Sequence, residues 1–304
     1  MSSPAPIALF TYARPSHTRR VREGIRATGT PLLYVFSDGP RSEADAPRVE
    51  ETRQIIQDVD WAEVKFFPRE QNAGLARSII EGVSRVLQDH DRVMVLEDDC
   101  VPEKDYYRVM GQLLQEFEAE PRVMSLSGYG FPMKIPPNYP YTHFTSYRGS
   151  TWGWATWKDR WQQYEPDTKA LLQKLKSDEL ITEKLGPDAA GFIRAQVERG
   201  LDIWSPGWLL LPLFTDQVTL WPTRSLVSNI GFDESGMNCA PTRAKKWYDI
   251  ENTRWITGTD PRVPDNLDPD PRIQAEFFRY LAPPSLLRVR LKKILRKYLF
   301  PGGN

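Results

Sequence analysis

The chain has 304 residues, which suits one large α/β domain or two small ones. It carries 40 Lys and Arg against 40 Asp and Glu, so no net charge draws it to nucleic acid or another polyanion. Its two cysteines, Cys100 and Cys239, form neither a metal-type pair nor a disulfide framework and are typical of a reducing compartment.

The sequence gives no indication of export or of membrane spanning. Residues 1–15 lack the basic segment and long apolar stretch of a secretory signal. The longest uninterrupted apolar run is shorter than the roughly 18 residues that a spanning helix needs. We therefore expect a cytoplasmic protein.

The first 130 residues alternate between short apolar runs and segments with helical spacing of apolar residues. This alternation predicts an α/β fold with a mostly parallel sheet flanked by helices. The predicted strands are 7–13, 32–39, 62–68, 92–99 and 122–130, and the predicted helices are 15–27, 43–58, 73–88 and 104–118.

The second half of the chain has a different texture. Residues 131–144 are rich in proline and aromatic residues and predict an ordered loop. Residues 148–161 contain four tryptophans, 167–200 are predicted to be helical, and 201–222 contain three more tryptophans. We predict one catalytic domain over 1–282, in which 131–282 carries loops that close over a site formed by 5–130, followed by a separate tail.

An acidic triplet ends the fourth predicted strand. Glu97, Asp98 and Asp99 follow a buried apolar run, and Asp38 ends the second strand. Adjacent carboxylates repel and raise one another's pKa unless a cation lies among them, so a lone triplet is most simply a solvated turn. Ligands of parallel sheets, however, bind at the carboxyl ends of the strands, which is where these side chains are expected.

The kinds of residue near this sheet edge favour a hard divalent cation. Carboxylate oxygens select Mg²⁺ or Mn²⁺, whereas the three histidines, His17, His90 and His143, are too scattered for a zinc motif. An ion held by one or two carboxylates takes its remaining ligands from water and a substrate phosphate. The sequence has neither a P-loop nor a glycine-rich dinucleotide motif after its first strand. The triplet therefore indicates a phosphate-bearing substrate.

Several segments together resemble a known family. "LFTYARP", "FSDG", "QNAGLARSIIEGV" and "VMVLEDDCVP", followed by "GSTWGWATW", "LDIW" and "WPTRSLVSNIGFDESG", occur in the order found in GT-A glycosyltransferases. The chain is most similar to bacterial family-2-type enzymes and to the N-acetylglucosaminyltransferase I group, over roughly residues 5–240. The resemblance implies a metal-dependent, inverting transfer of a hexosyl or N-acetylhexosaminyl group from a nucleotide sugar, with a UDP-sugar favoured.

The resemblance also implies an acceptor and a setting. The acceptor would be a glycan or a lipid-linked sugar in bacterial surface polysaccharide or glycoconjugate synthesis. Residues 5–130 would form the nucleotide-sugar-binding half and 131–282 the acceptor-side half.

By the same resemblance, the strand ends would bind the donor. Asp99 would bind the metal, Mn²⁺ or Mg²⁺, that bridges the diphosphate. Asp98 would face the ribose, and Glu97 the hydroxyl groups of the donor sugar. Asp38 would read the base with Arg14 beside it, although a helix cap or a mutual salt bridge is an alternative for this pair.

The start of the third predicted helix is expected near the nucleotide. Asn72, Gly74 and Arg77 would approach it, although a capped and well-packed helix start explains these residues nearly as well.

The tryptophan-rich segment is expected to meet the donor sugar. Gly153 would let the backbone approach the donor. Of Trp152 and Trp154, one would stack on the sugar, and Trp154 is the predicted one. Trp157 is expected to pack in the core.

The resemblance places the general base just before a tryptophan. Asp202 in "LDIW" matches that position, although Leu201 stands where an aromatic residue is usual. A base must accept the proton of the acceptor hydroxyl as it attacks. Asp159 and Asp216 are the alternative candidates for the base. The non-catalytic alternative for Asp202 is that it caps a helix starting near residue 202.

Three other classes of protein share some of these features. A sugar-phosphate nucleotidyltransferase would need a glycine-rich basic loop after the first strand, and "TYARPSHTRR" has no glycine. A phosphatase-like hydrolase would need a nucleophilic Asp there, where Thr11 and Tyr12 stand. A non-catalytic carbohydrate-binding protein would use the tryptophans and a cation without turnover.

The last segment, residues 283–304, is a basic amphipathic tail. It has six Lys or Arg and no acidic residue, and helical spacing would place Leu287, Leu291 and Ile294 on one face. Such a helix suits the anionic inner face of the cytoplasmic membrane, and docking on the protein's own core is the alternative.

Deleting residues 284–304 should release the protein from anionic vesicles while activity on a soluble acceptor is kept. Each cation near an anionic leaflet contributes about 1 kcal/mol, and the attraction weakens with salt. Vesicle sedimentation at low and high salt measures this. A full-length protein that ignores such vesicles at low salt, or a truncated protein that does not fold, would show that the tail is a docked structural helix.

Overall fold

A computed structural model describes residues 4–175, 177–233 and 249–282. The predicted tail, 283–304, lies outside the described residues. The strands are β1 (Ile7–Thr11), β2 (Leu32–Ser37), β3 (Glu63–Pro68), β4 (Arg92–Glu97), β5 (Cys100–Pro102), β6 (Val123–Ser127), β7 (His143–Ser146), β8 (Trp154–Trp157), β9 (Val218–Pro222) and β10 (Val227–Asn229). The α-helices are α1 (Pro15–Thr28), α2 (Ala46–Gln57), α3 (Leu75–Asp89), α4 (Tyr106–Glu116), α5 (Lys158–Trp161), α6 (Thr168–Lys174), α7 (Asp178–Leu185), α8 (Ala189–Glu198), α9 (Ser205–Leu210), α10 (Pro212–Thr215) and α11 (Pro271–Leu281).

The alternation predicted for the first 130 residues is present. The five predicted strands correspond to β1, β2, β3, β4 and β6, and the four predicted helices to α1 through α4. Pro15 opens α1, where its fixed φ suits a helix start, and Gly29 closes it in the left-handed conformation. The buried positions of α3, which include Ile79, Val83 and Val86, recur at helical spacing.

The main sheet is mixed, so the prediction of a mostly parallel sheet is wrong. Its eight strands follow the order β3-β2-β1-β4-β8-β6-β9-β7. The pairs β3–β2, β2–β1, β1–β4 and β6–β9 are parallel, whereas β4–β8, β6–β8 and β7–β9 are antiparallel. β8 lies between β4 and β6 and runs antiparallel to both. All four of its side chains are buried.

The tryptophans of the second half mostly form core. Trp154, Trp161, Trp204 and Trp208 pack together on the face of the sheet that α3 also covers. The rings of Trp154 and Trp204 are stacked with their centroids 5.0 Å apart. These large rings bury much apolar surface, so they join the loops of the second half to the sheet of the first.

A small second sheet fixes the segment that follows the acidic triplet. β5 pairs with β10 in antiparallel fashion, so the chain after Asp99 is held by the segment around Ser228. The backbone carbonyl of Asp99 accepts a hydrogen bond from the amide of Ile230, at 2.9 Å. The triplet therefore lies in a backbone that is held on both sides. Within the described part of the chain, no helix is both long and apolar enough to cross a membrane.

Gly153→Ala should destabilise the protein more than Gly200→Ala. Both glycines have a left-handed φ, of +59° and +61°, so both substitutions bring about 1–2 kcal/mol of strain. A Cβ at Gly153 would lie 2.5 Å from Cγ2 of Val227, whereas a Cβ at Gly200 would meet nothing within 4 Å. The clash should add about 1–3 kcal/mol, measured as the difference in free energy of unfolding by urea denaturation. Equal losses of unfolding free energy in the two variants would show that β10 shifts to make room for the extra methyl group.

Candidate functional site: a cleft at the strand ends

A cleft of about 1220 Å³ opens at the carboxyl ends of β1, β2 and β4. One part of its lining is polar and comes from the loop after β1, from Asp38 and from the acidic triplet. Another part is largely aromatic and includes Phe131 and Trp152. The position follows from the topology, because ligands of α/β sheets bind where neighbouring parallel strands end.

Arg14 lies among the carboxylates of the triplet. Its Nη2 donates to Oδ1 of Asp98 and, at 2.9 Å, to Oδ2 of Asp99. The backbone amide of Tyr12 also donates to Oδ2 of Asp98, at 3.3 Å. Both aspartates are buried, so a neighbouring cation is what makes their ionised forms tolerable. The pairing of Arg14 with Asp38, an alternative suggested by the sequence, is replaced by this pairing with the triplet.

The electrostatics of the cluster favour added positive charge. Burial, reinforced by the charges of Asp99 and Asp98, raises the pKa of Glu97 to about 8, with Arg14 opposing the shift. Burial likewise raises the pKa of Asp98, against the effect of Arg14. Burial lowers the pKa of Arg14, but the two aspartates outweigh it and raise that pKa above its usual range. Glu97 is therefore mostly protonated at neutral pH, while Arg14 stays charged.

The carboxylates fit a hard divalent cation as partial ligands. Among the described residues, Oδ1 of Asp99 accepts a weak hydrogen bond from the Cys100 thiol, at 3.4 Å. Gly231 lies beside Oδ2 of Asp99, where any side chain would collide with the carboxylate. In the described ranges, no group of three or more His, Cys, Asp or Glu side chains is placed to hold a metal. An ion here would thus need ligands from water and a substrate phosphate, as Mg²⁺ commonly does.

Asp38 anchors the start of α3. Its carboxylate accepts hydrogen bonds from the backbone amides of Gly39, Ala73 and Gly74 and from Nδ2 of Asn72, at 2.8–3.0 Å. The structure thus brings Asp38, Asn72 and Gly74 together, with Asp38 and Asn72 in the cleft lining. Four donors already satisfy this carboxylate. The role of Asp38 in reading a base stays a prediction.

Asp202 caps α3 from a distant part of the chain. Its Oδ2 accepts from the amide of Leu75 at 2.7 Å, and its Oδ1 from that of Ala76 at 3.2 Å. Gly74 leaves the space for this carboxylate, since a Cβ there would collide with it. Asp202 is exposed, and the neighbouring Ile203 and Trp204 line the cleft. Asp202 therefore caps a helix, as the structural alternative proposed, but the helix is α3 and not one near residue 202. The role of Asp202 as the base stays a prediction.

Four predicted donor contacts lie outside the cleft lining, and one of them is Gly74, described above. Arg77 is on the exposed face of α3, paired with Glu81 at 2.6 Å. Gly153 has a left-handed φ just before β8, and a Cβ there would collide with Val227. Trp154 is completely buried among other tryptophans, so its assignment to the sugar is wrong, and Trp152 lines the cleft instead.

The two alternative bases also lie away from the cleft lining. Asp159 is exposed and paired with Arg160 at 2.7 Å. Asp216 has a left-handed φ of 52° and ends α10. Asp202 is itself outside the lining, but it directly precedes the lining residues Ile203 and Trp204.

The cleft lining contains two polar pairs that no sequence motif predicts. Nε2 of His17 lies 3.1 Å from Oδ2 of Asp233, in the first turn of α1 and after β10 respectively. Arg148 forms a bidentate salt bridge with Asp188, with N–O distances of 2.8 and 3.1 Å. Each pair joins residues distant along the chain, so spacing alone could not have revealed it.

Comparisons with known proteins find similarity only among solved structures. No protein-family model and no curated protein matches this sequence. The crystal structure of S. aureus TarS 1–349 in complex with UDP-GlcNAc is 13% identical, covers 56% of this chain and 47% of that one, and has a TM-score of 0.37. This match therefore spans about half the length of that TarS chain.

Two further structures are similar at the same level. The mannosyltransferase PcManGT from Pyrobaculum calidifontis, in complex with GDP-Man and Mn²⁺, is 13% identical, covers 58% of this chain and 48% of that one, and has a TM-score of 0.34. The galactosyltransferase LgtC with donor and acceptor sugar analogs is 9% identical, covers 55% and 64%, and has a TM-score of 0.36. Similarity this low carries no conclusion about the activity of this chain.

Asp202→Asn and Asp202→Ala separate capping from catalysis. Asn keeps one oxygen that can accept from one of the two α3 amides, so it should lose less stability than Ala, which should lose about 0.5–2 kcal/mol. If Asp202 is also the base, the Asn variant should lose at least ~10²-fold in turnover while donor affinity is kept. Turnover of the Asn variant at the wild-type level would leave Asp202 as a cap alone.

Proposed function

We propose that this protein is a metal-dependent glycosyltransferase of GT-A type that uses a nucleotide-sugar donor. The observation that carries the proposal is the acidic triplet with Arg14 at the carboxyl end of β4, in a large cleft that also has an aromatic wall. A diphosphate needs cationic partners, and a sugar needs hydrogen-bonding groups and an apolar surface. The cleft offers all three.

The donor would occupy the polar part of the cleft. Arg14 would bind diphosphate oxygens, for which its planar guanidinium is well suited. Asp99 would hold Mn²⁺ or Mg²⁺, with Asp98 at the ribose. When bound, the ion neutralises negative charge on the departing diphosphate. Glu97 would form hydrogen bonds with hydroxyl groups of the donor sugar.

The acceptor would occupy the aromatic part of the cleft. Trp152 and Phe131 line it, and aromatic rings are suited to packing against the C–H face of a sugar. We propose an inverting transfer, in which Asp202 takes the proton from the attacking hydroxyl. A hexosyl or N-acetylhexosaminyl group is the proposed cargo, with a glycan or lipid-linked sugar as acceptor.

The cellular role follows from the sequence resemblance. We propose that the reaction belongs to surface polysaccharide or glycoconjugate synthesis at the inner face of the cytoplasmic membrane. The basic tail would hold the enzyme there, close to a lipid-linked acceptor.

A donor-hydrolysis screen tests the activity directly. The protein is incubated with nucleotide sugars and Mn²⁺, and release of nucleoside diphosphate is measured. UDP-GlcNAc and GDP-Man, the donors bound in two of the structures named above, are the first to try. Release that depends on the metal is the expected result. Binding of sugar without release would identify a carbohydrate-binding protein, and formation of a nucleotide sugar from a sugar phosphate would identify a nucleotidyltransferase.

Asp99→Asn should abolish the Mn²⁺-dependent part of nucleoside diphosphate binding and leave the fold intact. The substitution removes the charge that holds the ion while keeping the shape of the side chain. Calorimetry with and without Mn²⁺ measures the effect. Asp268→Asn, an exposed carboxylate paired with Arg122 outside the cleft, is the matched control and should bind as the wild type does. Equal affinity in the Asp99 variant and the wild type would refute the metal assignment.

A further inference from the structure

Arg14 occupies the place where a cation shared by Asp98 and Asp99 would lie. One nitrogen, Nη2, contacts an oxygen of each carboxylate. The two aspartate side chains are only 6% and 10% exposed, so little room remains for a second cation at the same oxygens. A guanidinium and a divalent ion repel each other, and they would compete for Oδ2 of Asp99.

The side chain of Arg14 borders the open cleft, into which it can turn. It lines the cleft and is 20% exposed, and its Nη1 is buried without a hydrogen-bond partner among the described residues. Its backbone is fixed, since the carbonyl accepts from the amide and the hydroxyl of Thr18 at 2.9 and 3.0 Å. A move of Arg14 is therefore a change of rotamer and leaves the start of α1 in place.

We propose that Arg14 is an internal counter-ion that keeps divalent cations off Asp99 until a diphosphate draws the guanidinium away. The inference rests on the proposed function, because it assumes a diphosphate ligand. A diphosphate offers oxygens that pair with a guanidinium in a planar fork, which compensates for the lost contacts with the aspartates. Metal and nucleotide then bind together, and the metal does not bind first.

The scheme predicts an unusual response to loss of the arginine. Arg14→Gln removes the competing cation, so Mn²⁺ alone should bind at least about tenfold more tightly than to the wild type, a difference of about 1.4 kcal/mol. The same variant should bind the nucleoside diphosphate less tightly, because a phosphate partner is gone. Free Mn²⁺ measured by electron paramagnetic resonance, with and without UDP or GDP, gives both quantities.

Two control variants isolate the role of Arg14. Arg48→Gln removes an exposed arginine that lines the same cleft but pairs with Asp45, and its Mn²⁺ affinity should equal that of the wild type. Arg14→Lys keeps a competing cation and should keep Mn²⁺ binding weak. Unchanged or weaker Mn²⁺ binding to folded Arg14→Gln would overturn the inference.

A measurement on the wild type keeps the inference testable if Arg14→Gln does not fold. The guanidinium NMR signal of Arg14 should stay unchanged with Mg²⁺ alone and shift when Mg²⁺ and UDP or GDP are added together. A shift with Mg²⁺ alone would overturn the inference.

The two proposals fail in different ways. Metal-dependent nucleotide binding without tighter Mn²⁺ binding by Arg14→Gln would leave the proposed function standing and remove the counter-ion role. Tight Mn²⁺ binding by that variant, with no nucleotide binding by the wild type, would show that Arg14 excludes the cation but would remove both the diphosphate trigger and the proposed function.

Discussion

The contact of Arg14 with Asp98 and Asp99 is the interaction on which the rest of the site depends. Two buried carboxylates at the end of a strand are costly unless a cation compensates them, and that cation must come from a different segment. The loop after β1 supplies it because β1 lies beside β4 in the sheet. The same pairing explains the position of the cleft, since the two strand ends that carry the charges form its floor.

The sheet would not hold this cleft without the second half of the chain. β8 lies between β4 and β6, and Trp154 extends from it into a cluster that also contains Trp204. Two residues before Trp204, Asp202 reaches across to cap α3. The halves are therefore joined by packing and by hydrogen bonds close to the cleft, which places one wall relative to the other.

Periodicity predicted the first half of the fold but not the order of the sheet. β1, β2, β4 and α1 to α4 are long enough to show a clear pattern, whereas β5, β8 and β10 have three or four residues each. In "TWGWATW" the burial of Trp154 and the cleft position of Trp152 differ because a glycine turn separates them, and composition cannot reveal that. The strand-end carboxylates were found because topology dictates where they lie. The sequence predicts Arg14 beside Asp38, but its partners are Asp98 and Asp99, because the choice between two neighbouring strand ends is made by tertiary packing.

The double use of charged residues links stability to function at this site. Asp38 and Asp202 satisfy backbone amides at the start of α3, and Arg14 satisfies two buried carboxylates, so each stabilises the fold as it stands. Asp38 has four donors and would gain little from a ligand. Arg14 differs, because it keeps a donor without a partner and has a route into the cleft. Among the described charges at the strand ends, we therefore propose that Arg14 is the one that exchanges its partners for a phosphate ligand while the backbone around it stays in place.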